Sequence, residues 1–275
     1  MSQTPPKAYK NQEFLNSPAA RHIRILCEYE ETRQRFLREG VKHTIVFFGS
    51  ARIRSRPDAM KRVTNARELL EKHPGDAGHI AGLERAEAAA RLSPYYESAM
   101  ELSRRLTEWS IAREGQRSYY ITSGGGPGIM EAANRGAAEV PGGKSIGLGI
   151  SLPFEQGVNE WVTPELAFEF HYFFTRKLWF LYLCKGMVIF PGGFGTLDEL
   201  FETLTLVQTG KIKKALPTIL FGTEYWNRVL DLSVMAEFGT ISKQDLDLIH
   251  PTDSVEEAFD YLTSVFEAVE RDDDQ

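Results

Sequence analysis

Residues 187–199 have the sequence MVIFPGGFGTLDE, in which an apolar run leads into a glycine-rich turn and then a more polar segment. An apolar run without polar alternation is typical of a strand that is buried on both faces of a parallel sheet. Glycines allow the main chain to turn tightly and to approach a ligand closely. We therefore predict a strand over 187–190, a turn over 191–195 and a helix over 196–210.

Similar units occur along the rest of the chain. The other predicted strands are 44–50, 118–122, 145–151 and 217–222, with a short extended stretch near Val162, and the predicted helices include 21–39, 95–114, 129–139, 173–185 and 224–238. This alternation indicates an α/β fold with a doubly wound, mostly parallel, Rossmann-like sheet and helices on both faces. Ligands bind beyond the carboxyl ends of such strands. The loops over 49–52, 123–128 and 191–196 are therefore the predicted site.

The remaining segments define the predicted domain organisation. Residues 1–20 are polar and contain prolines, which is typical of a mobile N-terminal arm. Residues 21–270 then form a single Rossmann-like domain, and residues 271–275 are an acidic tail. Within the domain, residues 52–93 are rich in arginine and alanine and have no strand-like run. They are predicted to be a helical insertion after the first strand.

Composition narrows the classes of partner and compartment. The net charge of −6 argues against a nucleic-acid backbone as the principal partner. No apolar run reaches the roughly 18 residues that a membrane span needs, and the N-terminus has no apolar leader. Cys27 and Cys184 form neither a disulfide framework nor a metal-binding spacing. We therefore expect a cytoplasmic protein with no metal and no membrane association.

The two glycine-rich loops each allow a structural and a functional interpretation. Residues 124–128, GGGPG, match neither the dinucleotide fingerprint nor a Walker loop, but the following helix N-terminus favours an anion. The alternative is a tight turn that only joins strand to helix. After residues 191–195, Thr196 is placed to cap a helix and Glu199 lies three residues on. Glu199 is then either a carboxylate near a ribose or the partner of Thr196 in a capping box.

Four segments resemble, in the same order, the motifs of the Lonely Guy family of nucleoside-monophosphate phosphoribohydrolases, formerly described as possible lysine decarboxylases. They are Phe48-Gly-Ser-Ala-Arg52, Gly124-Gly-Gly-Pro-Gly-Ile-Met-Glu-Ala-Ala133, Thr175-Arg-Lys177 and Pro191-Gly-Gly-Phe-Gly-Thr-Leu-Asp-Glu199, the last of which fits the family signature PGGxGTxxE. The resemblance covers roughly residues 44–222. The helical stretch over 52–93 exceeds the compact members and implies a longer subgroup.

The resemblance implies an N-glycosidase. Its expected substrate is a purine nucleoside 5′-monophosphate, either AMP or an N6-modified AMP such as a cytokinin riboside monophosphate, and its products are the free base and ribose 5-phosphate. Arg176 and Glu199 would be the catalytic pair. The glycine loops would bind the phosphate and ribose through Gly49, Ser50, Gly124, Gly125, Gly126, Gly128, Gly192, Gly193, Gly195 and Thr196. The resemblance also implies a homodimer or higher homo-oligomer, and no cofactor is expected because no motif indicates the pyridoxal group that a decarboxylase needs.

Further polar residues are candidates because of where they lie. Arg52 follows the first strand, Glu131 lies at the start of the helix after residues 124–128, and Lys177 is next to Arg176. We predict that these three bind substrate, and Asn134 lies where it can reach a ribose hydroxyl. The alternatives are a surface arginine, polar positions on the outside of a helix and a solvated helix face.

The roles of the predicted catalytic pair follow from the reaction. Cleavage of an N-glycosidic bond builds positive charge at C1′ of the ribose, which a carboxylate such as Glu199 stabilises while it orients or deprotonates the attacking water. Arg176 stays protonated, so it would contact the phosphate or the base and pair with Glu199. The alternative function is a non-catalytic nucleotide- or cofactor-binding module like a molybdenum-cofactor carrier. Such a module needs the glycine loops but not the pair.

Overall fold

The computed structural model describes residues 5–113, 118–152 and 157–273. In this part of the chain, seven strands form one sheet in the order β4-β3-β2-β1-β5-β6-β7, and every neighbouring pair is parallel. The strands are β1 (His43–Phe48), β2 (Tyr119–Ser123), β3 (Ser145–Ile150), β4 (Ala167–Phe170), β5 (Cys184–Ile189), β6 (Thr218–Phe221) and β7 (His250–Thr252). The predicted α/β fold is confirmed.

Helices cover both faces of this sheet. They are α1 (Gln12–Asn16), α2 (Arg21–Arg38), α3 (Arg56–Lys72), α4 (Ala77–Arg91), α5 (Ser93–Ile111), α6 (Ile129–Ala138), α7 (Phe173–Tyr182), α8 (Phe194–Gln208), α9 (Thr223–Val229), α10 (Leu232–Glu237) and α11 (Val255–Asp273). Alternate residues of β1 enter two separate cores: Phe47 packs with α5, α6 and α11, and Val46 packs with α2, α7 and α8. Burial on both faces explains why the strands are continuously apolar.

The direction of winding reverses at β1. This strand pairs with β2 on one side and with β5 on the other, and the helices that follow β1 and β5 lie on opposite faces of the sheet. A crevice opens at such a switch point, beyond the carboxyl ends of the strands. All three loops predicted as the site follow strands at this point.

The helical insertion predicted after the first strand is present as α3 and α4, which lie side by side before α5. In the N-terminal segment, Arg24 donates hydrogen bonds to the carbonyl oxygens of Leu15 and Ser17, at 2.5 and 2.7 Å. The boundaries of the arm, the domain and the tail stay predictions, and residues 1–4 and 274–275 of the arm and the tail lie outside the described residues.

Some elements differ from the sequence-based expectation. The short edge strands β4 and β7 were not predicted, because β4 contains an exposed Glu169 and β7 contains Pro251, which an edge strand tolerates. Val162 is buried in a turn and not in a strand. The helix predicted over 224–238 is split into α9 and α10, because Leu230 has an extended backbone. Among the described helices, none is sufficiently long and apolar to cross a membrane.

Gly128 joins the loops that follow β1 and β2, and its substitution tests this contact. It has a φ of +76°, and a Cβ atom there would lie 2.4 Å from the carbonyl oxygen of Ser50. We expect Gly128→Ala to lower the free energy of unfolding by about 3 kcal/mol or more, since strain and collision act together. Gly142 has a similar φ of +78° with no described atom within 4 Å of the added Cβ, so Gly142→Ala should cost only about 1 kcal/mol. Equal losses in urea unfolding would contradict this assignment.

Candidate active site

The loops after β1, β2 and β5 surround a cavity of about 780 Å³ at the switch point. This volume is in the range of small-molecule sites. The predicted site residues on its wall are Gly49, Ser50, Arg52, Gly124, Gly126, Arg176, Gly192, Gly193, Gly195, Thr196 and Glu199. The rest of the wall includes apolar side chains from several elements, among them Leu92, Met130, Ile150, Phe173 and Val229.

The loop after β5 is held by hydrogen bonds to its carbonyl groups. The backbone N–H of Ser50 donates to the carbonyl oxygen of Pro191 at 2.9 Å, and the hydroxyl of Tyr225 donates to that of Gly192 at 2.8 Å. Helix α8 begins directly after this loop, with Gly193 as its N-cap and, among the described residues, no side-chain cap. The N–H groups of its first turn therefore lack intrahelical partners and can bind an anion.

The start of α8 excludes the capping-box interpretation of Glu199. Thr196 was expected to cap the helix, but α8 begins two residues earlier, at Phe194, so Thr196 is its third residue. Glu199 then lies in the second turn, too far along the helix to be the partner of an N-cap. Its side chain is on the cavity wall, and the residue is only 7% exposed.

Burial dominates the electrostatics of Glu199. It raises the pKa of this carboxyl from 4.5 to about 7, although the positive charges of Lys177 and Arg176 lower it. Glu202 and Asp198 raise the pKa further because like charges disfavour ionisation. A carboxyl group with a pKa near 7 exchanges protons readily at neutral pH, which is the property that a general acid or base requires.

Arg176 is oriented across the same cavity by a hydrogen bond, by an aromatic ring and by the space that Gly124 leaves beside it. Its Nε donates a hydrogen bond to the carbonyl oxygen of Leu148 at 2.7 Å, and its guanidinium carbon lies 5.0 Å from the centre of the Phe180 ring. Gly124 makes room for this group, since a Cβ atom there would lie 2.6 Å from Nη2 of Arg176. The guanidinium is therefore held where the loop after β2 meets α7.

Helix α7, which carries Arg176, is itself anchored by α2. The carboxylate of Glu28 accepts a hydrogen bond from the backbone N–H of His171 at 2.7 Å and another from the hydroxyl of Thr175. A carboxylate at this position stabilises the positive end of a helix dipole. A residue of the N-terminal surface helix thus fixes the start of the helix that positions Arg176.

The loop after β2 has a larger structural role than the one after β5. The carbonyl oxygen of Gly125 accepts from the backbone N–H of Asn159 at 2.6 Å, and the N–H of Ile129 donates to the carbonyl oxygen of Ser50. Asn134 is fully buried and accepts from the hydroxyl of Ser123 at 2.7 Å. Asn134 therefore supports the loop from beneath. The structural interpretation, in which residues 124–128 are a turn that joins strand to helix, therefore explains part of the sequence of this loop.

Four predicted binding residues are not on the described cavity wall: Gly125, Gly128, Glu131 and Lys177. Glu131 instead accepts a hydrogen bond from the hydroxyl of Tyr96 at 2.8 Å. Lys177 pairs with Asp198 and Glu202. The geometry gives these four no contact with the cavity, and their role in binding stays a prediction.

Sequence reasoning missed Tyr225, which lies on the cavity wall and holds the loop after β5. It belongs to α9, which follows β6, and no motif marks it. The available signal was position alone, since α9 begins just beyond the carboxyl end of a strand next to β5. In the described residues, no group of three or more His, Cys, Asp or Glu side chains is arranged to hold a metal ion.

Comparison with known proteins agrees with the motifs. Residues 130–262 match the family model described as "Possible lysine decarboxylase", the older description of the Lonely Guy family. The resemblance to the Lonely Guy family is confirmed. The chain is also similar to the "Pyrimidine/purine nucleotide 5'-monophosphate nucleosidase" of Escherichia coli K12, with 31% identity over 152 residues. Proteins of that name from two other Escherichia coli strains, O6:H1 and O157:H7, match equally well. The similarity covers 49% of this chain but only 32% of the relative, so the chain spans about a third of its relative's length.

The raised pKa of Glu199 predicts how stability depends on pH. The folded state holds this proton up to about pH 7, whereas the unfolded state loses it near pH 4.5. The free energy of unfolding therefore falls as pH rises between these two values. Glu199→Gln removes this dependence. Relative to the parent, the free energy of unfolding of the variant should rise by about 2 to 3 kcal/mol from pH 5 to pH 8.

Urea unfolding at several pH values measures this difference. Glu224 is an exposed residue of α9 and serves as the control, since Glu224→Gln should follow the pH dependence of the parent. If Glu199→Gln also followed the parent, the pKa of Glu199 would not be raised.

Proposed function

We propose that this protein hydrolyses the N-glycosidic bond of a purine nucleoside 5′-monophosphate. The observation that carries the proposal is a buried carboxyl group, Glu199, with a pKa near 7, in the same cavity as an oriented arginine and an uncapped helix N-terminus. The substrates proposed are AMP and N6-modified AMP, and the products are the free base and ribose 5-phosphate. The names of the relatives support a nucleotide 5′-monophosphate as substrate.

Different parts of the cavity wall suit different parts of such a substrate. The first turn of α8 and the glycines before it offer backbone N–H groups to the phosphate. The apolar side chains on the wall, such as Leu92, Met130 and Val229, suit a planar base. Glu199 lies about one turn further along α8 than these N–H groups, and we assign its carboxyl group to the ribose.

The proposed reaction breaks the bond between C1′ and the base nitrogen while a water oxygen bonds to C1′. Ionised Glu199 stabilises the positive charge on the ribose and accepts a proton from the attacking water. The electrons of the broken bond go to the base nitrogen, which takes up a proton from the solvent, and Glu199 returns the water proton to the solvent. Arg176, which stays positively charged, binds the phosphate or the leaving base and favours the ionised form of Glu199.

Product analysis with a panel of nucleotides tests this function. The parent protein should release base and ribose 5-phosphate from AMP or N6-modified AMP, and GMP, CMP and UMP establish whether purines are preferred. Because the active form of Glu199 is the carboxylate, kcat should rise with pH up to about 7 and then level off. A parent protein that binds AMP but releases no base from any of these nucleotides would favour the non-catalytic module.

Substitution of Glu199 tests its assigned role. Glu199→Gln should lower kcat by about 10³-fold or more while it leaves AMP binding, measured by calorimetry, close to that of the parent. Glu224→Gln, an exposed carboxylate outside the cavity wall described above, should keep full activity. Near-full activity of Glu199→Gln would show that another group activates the water.

We also propose that the protein acts in the cytoplasm as a homodimer or higher homo-oligomer. Helix α7 exposes Phe174, Leu178 and Tyr182 at four-residue spacing, with exposed fractions of 58%, 42% and 56%, and nearby Phe194 is 92% exposed. A group of exposed large apolar side chains such as these favours an interface.

Sedimentation measurements test the assembly. Leu178→Asp should convert the oligomer to a smaller species, because it places a charge in the middle of the exposed apolar residues of α7. Leu69→Asp changes an exposed leucine on α3 and should leave the mass unchanged. A monomeric parent, or an unaffected Leu178→Asp variant, would contradict this interface.

A further inference from the structure

Lys177 makes contacts that a substrate-binding lysine would not need. Its ammonium nitrogen lies 2.9 Å from a carboxylate oxygen of Asp198 and 2.9 Å from one of Glu202. The side chain is only 17% exposed, so it is not a solvated residue on a helix face. Its charge is directed at two carboxylates of α8, of which Asp198 is itself on the described cavity wall.

The two partners of Lys177 flank Glu199 along α8. Glu202 is three residues after it and lies on the same face of α8, whereas Asp198 is one residue before it. Both carboxylates raise the pKa of the buried carboxyl group. Lys177 itself is adjacent to Arg176 on α7. The ion pairs therefore join the helix that carries Arg176 to the helix that carries Glu199.

We propose that Lys177 is a positioning residue for Glu199: it neutralises the two carboxylates that flank Glu199 and ties α8 to the helix of Arg176. This inference rests on the proposed function, in which ionised Glu199 is the catalytic group. Without the ammonium group, three carboxyl groups would lie close together, and repulsion would favour the protonated, inactive form of Glu199. Lys177 thus keeps the carboxylate populated near neutral pH.

The charged groups that shift the pKa of Glu199 are consistent with this role of Lys177. From α7, Lys177 and Arg176 lower the pKa of Glu199, and from α8 itself, Glu202 and Asp198 raise it. Attraction to Lys177 is the largest of these charge effects. The other ionisable side chains on the described cavity wall are Arg52 and Tyr225. They remain in every variant below, so they do not alter the comparison.

The pH profile of kcat distinguishes positioning from binding. Lys177→Met should move the acid limb of kcat to higher pH by about one unit, which lowers kcat at pH 7 several-fold and restores it at higher pH. The KM for AMP should change less than two-fold, and Lys177→Arg should keep the parent profile. Glu202→Gln should move the limb in the opposite direction. A raised KM with an unmoved acid limb would overturn the proposal, because it would make Lys177 a binding residue.

A measurement that does not depend on turnover separates this inference from the proposed function. The Glu199 carboxyl signal is titrated by ¹³C NMR, with Glu199→Gln used to assign it. Lys177→Met should raise its pKa, and Glu202→Gln should lower it. If these shifts occur and the parent releases no base, only the proposed function fails. If the parent is active and neither variant shifts the signal, the positioning role is overturned, and Glu202→Gln decides this even where Lys177→Met does not fold.

Discussion

The site depends on the reversal of winding at β1. The helices after β1 and β5 leave for opposite faces of the sheet, so a crevice opens where these two strands end. The carboxyl ends of parallel strands carry loops and helix N-termini that cannot satisfy all of their N–H groups internally. This reversal therefore leaves both space and unsatisfied donors at one place. The glycine loops, Arg176 and Glu199 are all arranged around it.

The balance at Glu199 combines two opposing requirements. Burial within the cavity wall favours the neutral carboxyl group, whereas the proposed cleavage of a glycosidic bond uses the ionised form. Neighbouring charges decide the outcome: cations from α7 oppose burial, and carboxylates on α8 reinforce it. The result is a group whose pKa lies near neutrality. A site of this kind gives up some folding free energy in exchange for reactivity.

The sequence was sufficient for the five inner strands of the sheet, because strands buried on both faces are continuously apolar and glycines mark their ends. It was insufficient for the edge strands β4, which contains an exposed Glu169, and β7, which has only three residues and contains Pro251. The spacing of Thr196 and Glu199 left two interpretations, and only the start of α8 at Phe194 distinguished them. The ion-pair partners of Lys177 could not be predicted from the sequence either, since a contact between two helices depends on packing that local sequence does not encode.

The cavity wall combines two kinds of group. Backbone groups of a glycine-rich loop form the part beside α8, and side chains from separate elements, including Leu92, Met130 and Val229, form other parts. Backbone donors persist through most substitutions, but side-chain walls change with each one. During evolutionary divergence, such a site can keep binding an anionic group while the side chains of its wall change. Selectivity for the rest of the ligand can then change while the anion-binding part of the site stays the same.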